Sequence, residues 1–112
     1  MRESTIELKL KTYAESAGAL FRKFNSAATR GVCDDLVFLN GEVLALEVKA
    51  PGKAPTQLQR YRLREFLEVG VPATWCDSYE SGRLVLDLFI EYGAAEVRER
   101  IDSAGDFDSA GL

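Results

Sequence analysis

Three residues in this chain could do chemistry together: Asp34, Glu47 and Lys49, on either side of an Asn40-Gly41 pair. Asn-Gly between the apolar runs Leu36–Leu39 and Val43–Leu46 signals a two-residue type I′ hairpin loop, because both loop positions need positive φ. With Asn40 and Gly41 as the loop, Leu39 faces Glu42, and in the same register Asp34 faces Glu47. Directly opposed side chains stand about 4.5–5.5 Å apart at Cβ. Lys49 lies two residues beyond Glu47 and shares its face. Opposed like charges destabilise a sheet, and a hard divalent cation such as Mg²⁺, which takes one or two carboxylates plus water and phosphate oxygens, removes that repulsion. The bland reading is that both acids splay into water with Lys49 as a surface counter-ion.

Composition removes rival chemistries. The 112 residues contain no histidine, which excludes a Ser-His-Asp triad, a Cys-His dyad and any histidine-bearing zinc site. Cys33 and Cys76 are the only cysteines, too few for a four-thiolate site, and they read as reduced thiols. The amino-terminal residues lack the apolar core of a signal peptide, and no apolar run approaches the ~18 residues of a membrane span, so the expected setting is cytoplasmic, without a membrane partner. Net charge is −4 but unevenly spread. Residues 1–64 hold 11 Lys and Arg against 7 Asp and Glu, net +4, and residues 65–112 hold 3 against 11, net −8. A basic half suits a polyanion, and solvated helix faces are the bland alternative.

The elements that must position these residues follow from periodicity. Ser4 or Thr5 is expected to cap a helix running to about Ala17, with Gly18 as its stop and Ser4-x-x-Glu7 as a capping box. Leu20–Phe24 reads as a short strand, a loop spans Asn25–Gly31, and the hairpin strands occupy about 34–39 and 42–49. Thr56 can cap a second helix that ends at Gly70, and Pro72–Cys76 reads as a fourth strand. Leu84–Tyr92 suits either a buried strand or a helix, and Ala94–Asp102 looks helical. The expected fold is α/β (α+β): α-β-β-β-α-β with a helical end, a mixed sheet of about four strands flanked by helices. One domain is expected over 1–102, with 103–112 as a flexible tail.

Gly31-Val32-Cys33-Asp34, Leu46-Glu47-Val48-Lys49-Ala50-Pro51-Gly52 and Thr56-Gln57-Leu58-Gln59, in that order, closely resemble the signatures of the VRR-NUC domain, the virus-type replication-repair nuclease of the PD-(D/E)xK superfamily. The resemblance runs from about Ile6 to Ser78. It implies a restriction-endonuclease-like core and a Mg²⁺- or Mn²⁺-dependent endodeoxyribonuclease in a bacterial or phage-infected cell. By that resemblance Asp34, Glu47 and Glu7 are the metal-binding acids, the Val48 backbone carbonyl is a further ligand, and Lys49 positions water and stabilises charge on the phosphate. Gln59 matches the family's glutamine after the catalytic strand. Glu7 also reads as the capping-box partner of Ser4, and Gln59 as a solvated helix residue. The family usually has proline where Cys33 stands, and Cys33 is read as a buried small residue. Asp35, on the opposite strand face from Asp34, is expected to face solvent.

Lys9, Lys11, Arg22, Lys23, Arg30, Lys53 and Arg60 are candidate contacts to DNA phosphates, which position the duplex without reading sequence. Stand-alone members of the resembled family imply branched DNA, including four-way junctions, as substrate and a homodimer as the working form, with Leu84–Tyr92 as one candidate interface. Alternatives are a generic nicking or flap endonuclease, a non-catalytic nucleic-acid-binding module on a nuclease fold, and a structural partner that binds an acidic protein surface.

Overall fold

A computed structural model describes residues 1–25, 28–105, 107 and 110. The elements run α1 (Glu3–Ser16), β1 (Leu20–Lys23), β2 (Asp35–Leu39), β3 (Glu42–Val48), α2 (Gln57–Glu68), β4 (Ala73–Cys76), α3 (Tyr79–Tyr92) and α4 (Ala94–Ala104). The strands form one sheet in the order β1-β2-β3-β4, with β4 parallel to β3 and the other pairs antiparallel. Among the described residues no helix is long and apolar enough to cross a membrane.

The β2–β3 hairpin has the expected register, with Leu39 opposite Glu42 and Asp35 opposite Leu46. Asn40 and Gly41 sit at φ 53° and 78°, the left-handed pair that a type I′ turn requires. Register fixes the faces. Asp35, Val37, Leu44, Leu46 and Val48 share one side of the sheet with Cys76, and α1 and α3 cover that side: Leu10 and the Cys76 sulfur both crowd Gly82 of α3. Asp34, Ala45, Glu47 and Lys49 point to the other side with Trp75. There α2 lies against the sheet, and Arg98 of α4 donates to the Leu67 carbonyl at 2.6 Å, tying α4 to the end of α2.

Two helix starts and one tail differ from expectation. Helix α1 begins at Glu3 with Arg2 as its cap residue, and Ser4 makes no capping bond. Thr5 and Ile6 N–H groups both donate to the Arg2 carbonyl, which places Ser4 inside the first turn. Burial of Ile6, Leu10 and Ala14 sets that phase, and the capping box is absent. Leu84–Tyr92 is helical, as part of α3: Ser78 accepts from the Ser81 N–H as N-cap, and Gly82, Val85, Leu86 and Phe89 are buried at helical spacing. Helix α4 continues to Ala104, and Phe107, within the expected tail, is buried, its carbonyl accepting from Trp75 Nε1 at 2.9 Å. Residues 106, 108, 109, 111 and 112 of that tail lie outside the described residues, as do residues 26 and 27 of the expected loop.

Gly82 is required by packing. A Cβ there would meet Leu10 Cδ1 at 2.6 Å and Cys76 Sγ at 2.9 Å, and both residues are fully buried. Alanine gains about 1 kcal/mol of helix propensity over glycine, while overpacking a rigid core costs about 1–3 kcal/mol. Gly82→Ala should therefore lower stability by about 1 kcal/mol, read as a lower urea midpoint with unchanged slope; a raised midpoint would show that α3 can move away from α1.

Candidate active site

Strand β3 outruns its partner at the end of the hairpin. Asp34 precedes β2, and its carbonyl accepts from the Phe24 N–H at 2.7 Å. Its side chain turns to β3, where Asp34 Oδ2 accepts the Val48 N–H at 3.1 Å. On the far side of β3 the Lys49 N–H donates to the Cys76 carbonyl at 2.8 Å. Asp34 therefore stands at the fork where β2 and β3 separate, held at both its backbone and its carboxylate.

Glu47 lies next to it and is 1% exposed. Burial above all, then its hydrogen bond to Asp34 and the charge of that carboxylate, push Glu47 up to about 10, against the pull of Lys49. At neutral pH Glu47 thus holds a proton that it shares with Asp34. Its Oε1 is buried without a hydrogen-bond partner. Lys49 Nζ donates to Gln59 Oε1 at 3.2 Å, and the same oxygen accepts the Thr56 N–H at 2.9 Å. Thr56 Oγ1 in turn accepts from the Gln59 N–H, completing the capping box of α2. Gln59 is thereby a structural cap and an anchor for the lysine, not a solvated helix residue.

Glu7 does not join this group. Its carboxylate binds Lys23 Nζ at 3.2 and 3.3 Å and hydrogen-bonds Asp35. Burial works to raise its pKa, but the Asp35 bond and Lys23 outweigh it and hold it below the ordinary value. Asp35 corrects a second expectation. It is 1% exposed, because its register partner is Leu46 and its face is the one α1 covers. Burial first, then the Glu7 bond and the charges of Glu7 and Asp34, push Asp35 up to about 9, and its Oδ2 has no hydrogen-bond partner. The acids thus form two pairs, Asp34–Glu47 and Glu7–Asp35, on opposite faces of the sheet. Among the described residues no three His, Cys, Asp or Glu converge into a ready-made metal cluster.

Asp35 was expected to face solvent, although period-two alternation with Val37, Leu44 and Leu46 was enough to place it inward. Sequence reasoning passed over Glu3, whose charge on the first turn of α1 adds to the upward push on Glu47. Cys33 matches its reading as a buried small residue: it is 1% exposed, and burial pushes its thiol up to about 12. Burial raises Cys76 as well, and both cysteines are free.

The expected phosphate contacts divide into engaged and exposed groups. Arg60 donates to the Pro55 carbonyl at 3.2 Å and to the Phe107 carbonyl at 3.1 Å, so it braces the carboxy-terminal segment. Lys23 is paired with Glu7 and Arg22 with Glu15. Lys9 stands 5.6 Å from the centre of the Tyr79 ring, and Lys11 lines the cavity beside Glu7. Arg30 and Lys53 are exposed on loops that flank the Asp34 end of the sheet.

The Asp34–Glu47 site offers oxygen ligands only, one of them a buried carboxyl oxygen with no partner, and hard divalent ions take such a set with water completing the shell. The residues fit Mg²⁺ or Mn²⁺.

Comparison with known proteins bears on the fold and on the class of protein. No family model matches the chain. Over 66 residues it is 44% identical to "Putative nuclease p44" of Acyrthosiphon pisum secondary endosymbiont phage 1, a match that spans 58% of this chain and 68% of that protein. The fold is similar to a solved VRR-NUC domain at a TM-score of 0.69, covering 82% of this chain and 99% of that one at 22% identity.

Both raised carboxyls carry protons in the folded chain and lose them on unfolding at any pH above the ordinary carboxylate range. The unfolded state then binds fewer protons, so stability must fall as pH rises from about 4 through the folded values of about 9 and 10. In EDTA the melting temperature should drop between pH 5 and pH 9, and Glu47→Gln should flatten the slope; a melting temperature that climbs over this range contradicts the assignment.

Proposed function

The chain belongs to the VRR-NUC nuclease family, and on that premise we propose that it is a Mg²⁺- or Mn²⁺-dependent DNA endonuclease, selective for branched DNA such as four-way junctions. The observation that carries the reading is the Asp34–Glu47 pair with Lys49 beside it, held at the fork of a nuclease fold.

Asp34, Glu47 and the Val48 carbonyl are the groups that would hold the ion, and a bound divalent cation supplies Lewis-acid polarisation of the scissile phosphate. Each protein group then has a separate task. Asp34 keeps its carboxylate fixed through the Val48 N–H, so it presents its other oxygen without first reorganising. Glu47, beside Asp34, would give up its proton to serve as the second acidic ligand. Lys49 is charged and anchored through one hydrogen bond to Gln59, which leaves two N–H donors for the oxygens on which charge builds as the P–O bond breaks. The anchor is itself fixed by the capping box of α2, so the lysine's position is tied to the helix start.

Arg30, Lys53 and Lys9 are the exposed cations available to backbone phosphates around this end of the sheet. A homodimer suits a junction, because two sites related by a twofold axis can address two symmetry-related strands. Helix α3 offers part of such a surface, with Leu84 and Tyr92 55% and 62% exposed, while Val85, Leu86 and Phe89 are core.

Labelled duplex, flap and four-way-junction DNA incubated in Mg²⁺, Mn²⁺ or EDTA tests the proposal. Cleavage should need the metal and favour the junction. Asp34→Ala and Lys49→Ala should each lower the rate by about 10³-fold or more, in line with loss of a charge-stabilising group, while DNA binding in Ca²⁺ persists. Undiminished Mg²⁺-dependent cleavage by purified Asp34→Ala would sink the assignment. Salt-sensitive binding with no cleavage under any metal would make the chain a binding module instead.

A further inference from the structure

Arg62, Glu65, Phe66 and Val69 recur at spacings of three and four along α2 and its C-cap, so they share one face of the helix. The sheet does not close that face. Among the described residues it forms one wall of an open hollow of about 330 Å³, and Phe24, Thr29 and Val32 of the β1–β2 connection form the other. Both walls are fixed before anything binds. Arg62 Nε donates to the Arg30 carbonyl at 2.9 Å, and its Nη1 binds Glu65 Oε1 at 2.9 Å. Gly31, at φ 76°, lets the connection approach α2 so closely that a Cβ there would meet Leu58 Cγ at 2.7 Å. Phe24 and Phe66 stand edge to face with ring centres 6.3 Å apart. A flat ring entering the hollow can lie against one of them and meet the edge of the other, the two arrangements that aromatic pairs prefer.

The hollow adjoins the candidate active site. The Phe24 N–H donates to the Asp34 carbonyl at 2.7 Å, and Val32 stands two residues before Asp34. The helix that anchors Lys49 through Gln59 supplies the other wall, with Phe66 about 10 Å further along its axis. Arg30, exposed on the same connection, brings positive charge to this border, while the acid Glu65 is held by Arg62. A ligand for this place is flat, apolar on its faces, polar at its edge and joined to negative charge. The Thr29 hydroxyl, Arg62 and Glu65 line the hollow and offer donors and acceptors to such an edge.

We infer that this hollow receives an unpaired nucleobase of the bound strand, from a nucleotide close to the scissile phosphate. The choice of a DNA base rests on the nuclease reading, and it adds a means of telling branched DNA from duplex. Inside a duplex both faces of a base are covered by its neighbours and its edge is paired, so it enters only by being pulled from the stack. A base at a branch or in a single strand has already lost those contacts, and seating it costs least. Stacking on phenylalanine then favours it whatever its identity, because every base has a π-face. The metal acids and Lys49 address a phosphate that every duplex also presents, so selection for shape falls to the apolar hollow beside them.

The experiment measures binding of flap DNA by the full chain in Ca²⁺. A single abasic residue replaces thymine in the unpaired strand and is moved one nucleotide at a time away from the branch. At one position the wild type should bind the thymine DNA about tenfold more tightly than the abasic one, the equivalent of one lost base–aromatic stack. Phe66→Leu keeps an apolar side chain and removes the ring, and Val69→Asn alters a residue that is 78% exposed. Each should reduce that preference several-fold while affinity for the abasic DNA stays unchanged, and melting in EDTA checks that both are folded. Equal binding by the wild type at every position overturns the proposal, and so does a preference that both variants retain. Sedimentation of the DNA-free chain covers the rival occupant: a dimer that Val69→Asn dissolves, without any base preference, gives the hollow to a second copy and overturns the proposal. Cleavage in Mg²⁺ is scored separately. A base preference without cleavage keeps the hollow and abandons the nuclease reading, and cleavage without a base preference does the reverse.

Discussion

The register of the β2–β3 hairpin decides which acids can meet. Asn40 and Gly41 both adopt positive φ, and the tight loop they make leaves one pairing open to the strands that follow. Because side chains alternate with period two, a slip of one residue would exchange Asp34 with Asp35 and turn Val37, Leu44 and Leu46 away from the core. Those three residues are fully buried, so burial of their apolar surface holds the register against the repulsion of the acids at its end. A site built from like charges is stable here because the hairpin carrying it is fixed by groups with no part in the chemistry.

That same alternation makes the site two-sided. Asp34 and Asp35 are neighbours in sequence and strangers in space, one facing Glu47 and α2, the other facing Glu7 and α1. Each pair has its own lysine, Lys49 on one face and Lys23 on the other, but the lysines are held differently. Lys49 is anchored by a neutral amide that also caps α2. Lys23 is paired with the Glu7 carboxylate on an exposed strand edge.

Much of this could be read from sequence, for identifiable reasons. The hairpin, its register and the shared face of Glu47 and Lys49 follow from one Asn-Gly pair and strict alternation, which are local rules with little competition. Helix α2 was legible from its Thr56 cap, its helical apolar period and Gly70, and the structure adds a capping box between Thr56 and Gln59. Ser4 and Glu7 have the same spacing and form none, since the phase of α1 is set by burying Ile6, Leu10 and Ala14, and tertiary packing outweighs a cap. Leu84–Tyr92 was ambiguous taken alone because the helix signal starts earlier, at the Ser78 cap and Gly82. The inward turn of Asp35 was predictable from parity but masked by its charge, since acids are seldom fully buried. Arg60 looked like a phosphate ligand because nothing local to α2 reveals that the carboxy-terminal segment returns to it at Phe107.

Cys33 shows how the site keeps its geometry without the proline usual in the family at that position. Proline would stiffen the approach to Asp34 by fixing φ, a restraint carried by the backbone itself. Here the restraint comes from contacts. Cys33 is buried, its thiol is kept protonated by that burial, and its sulfur lies 3.6 Å from the Asp35 carbonyl, bridging the segment before the fork to the first residue of β2. Phe24 fixes the Asp34 carbonyl from the β1 side, and Val48 fixes its carboxylate from the β3 side. Each contact is weak alone, an S–H donor most of all. Together they restrain Asp34 from both flanking strands as well as from along the chain, so the loss of a rigid ring need not loosen the acid. The strand junction that a proline would pre-set through torsion is set here by packing, which ties the position of Asp34 to the integrity of the core around Cys33.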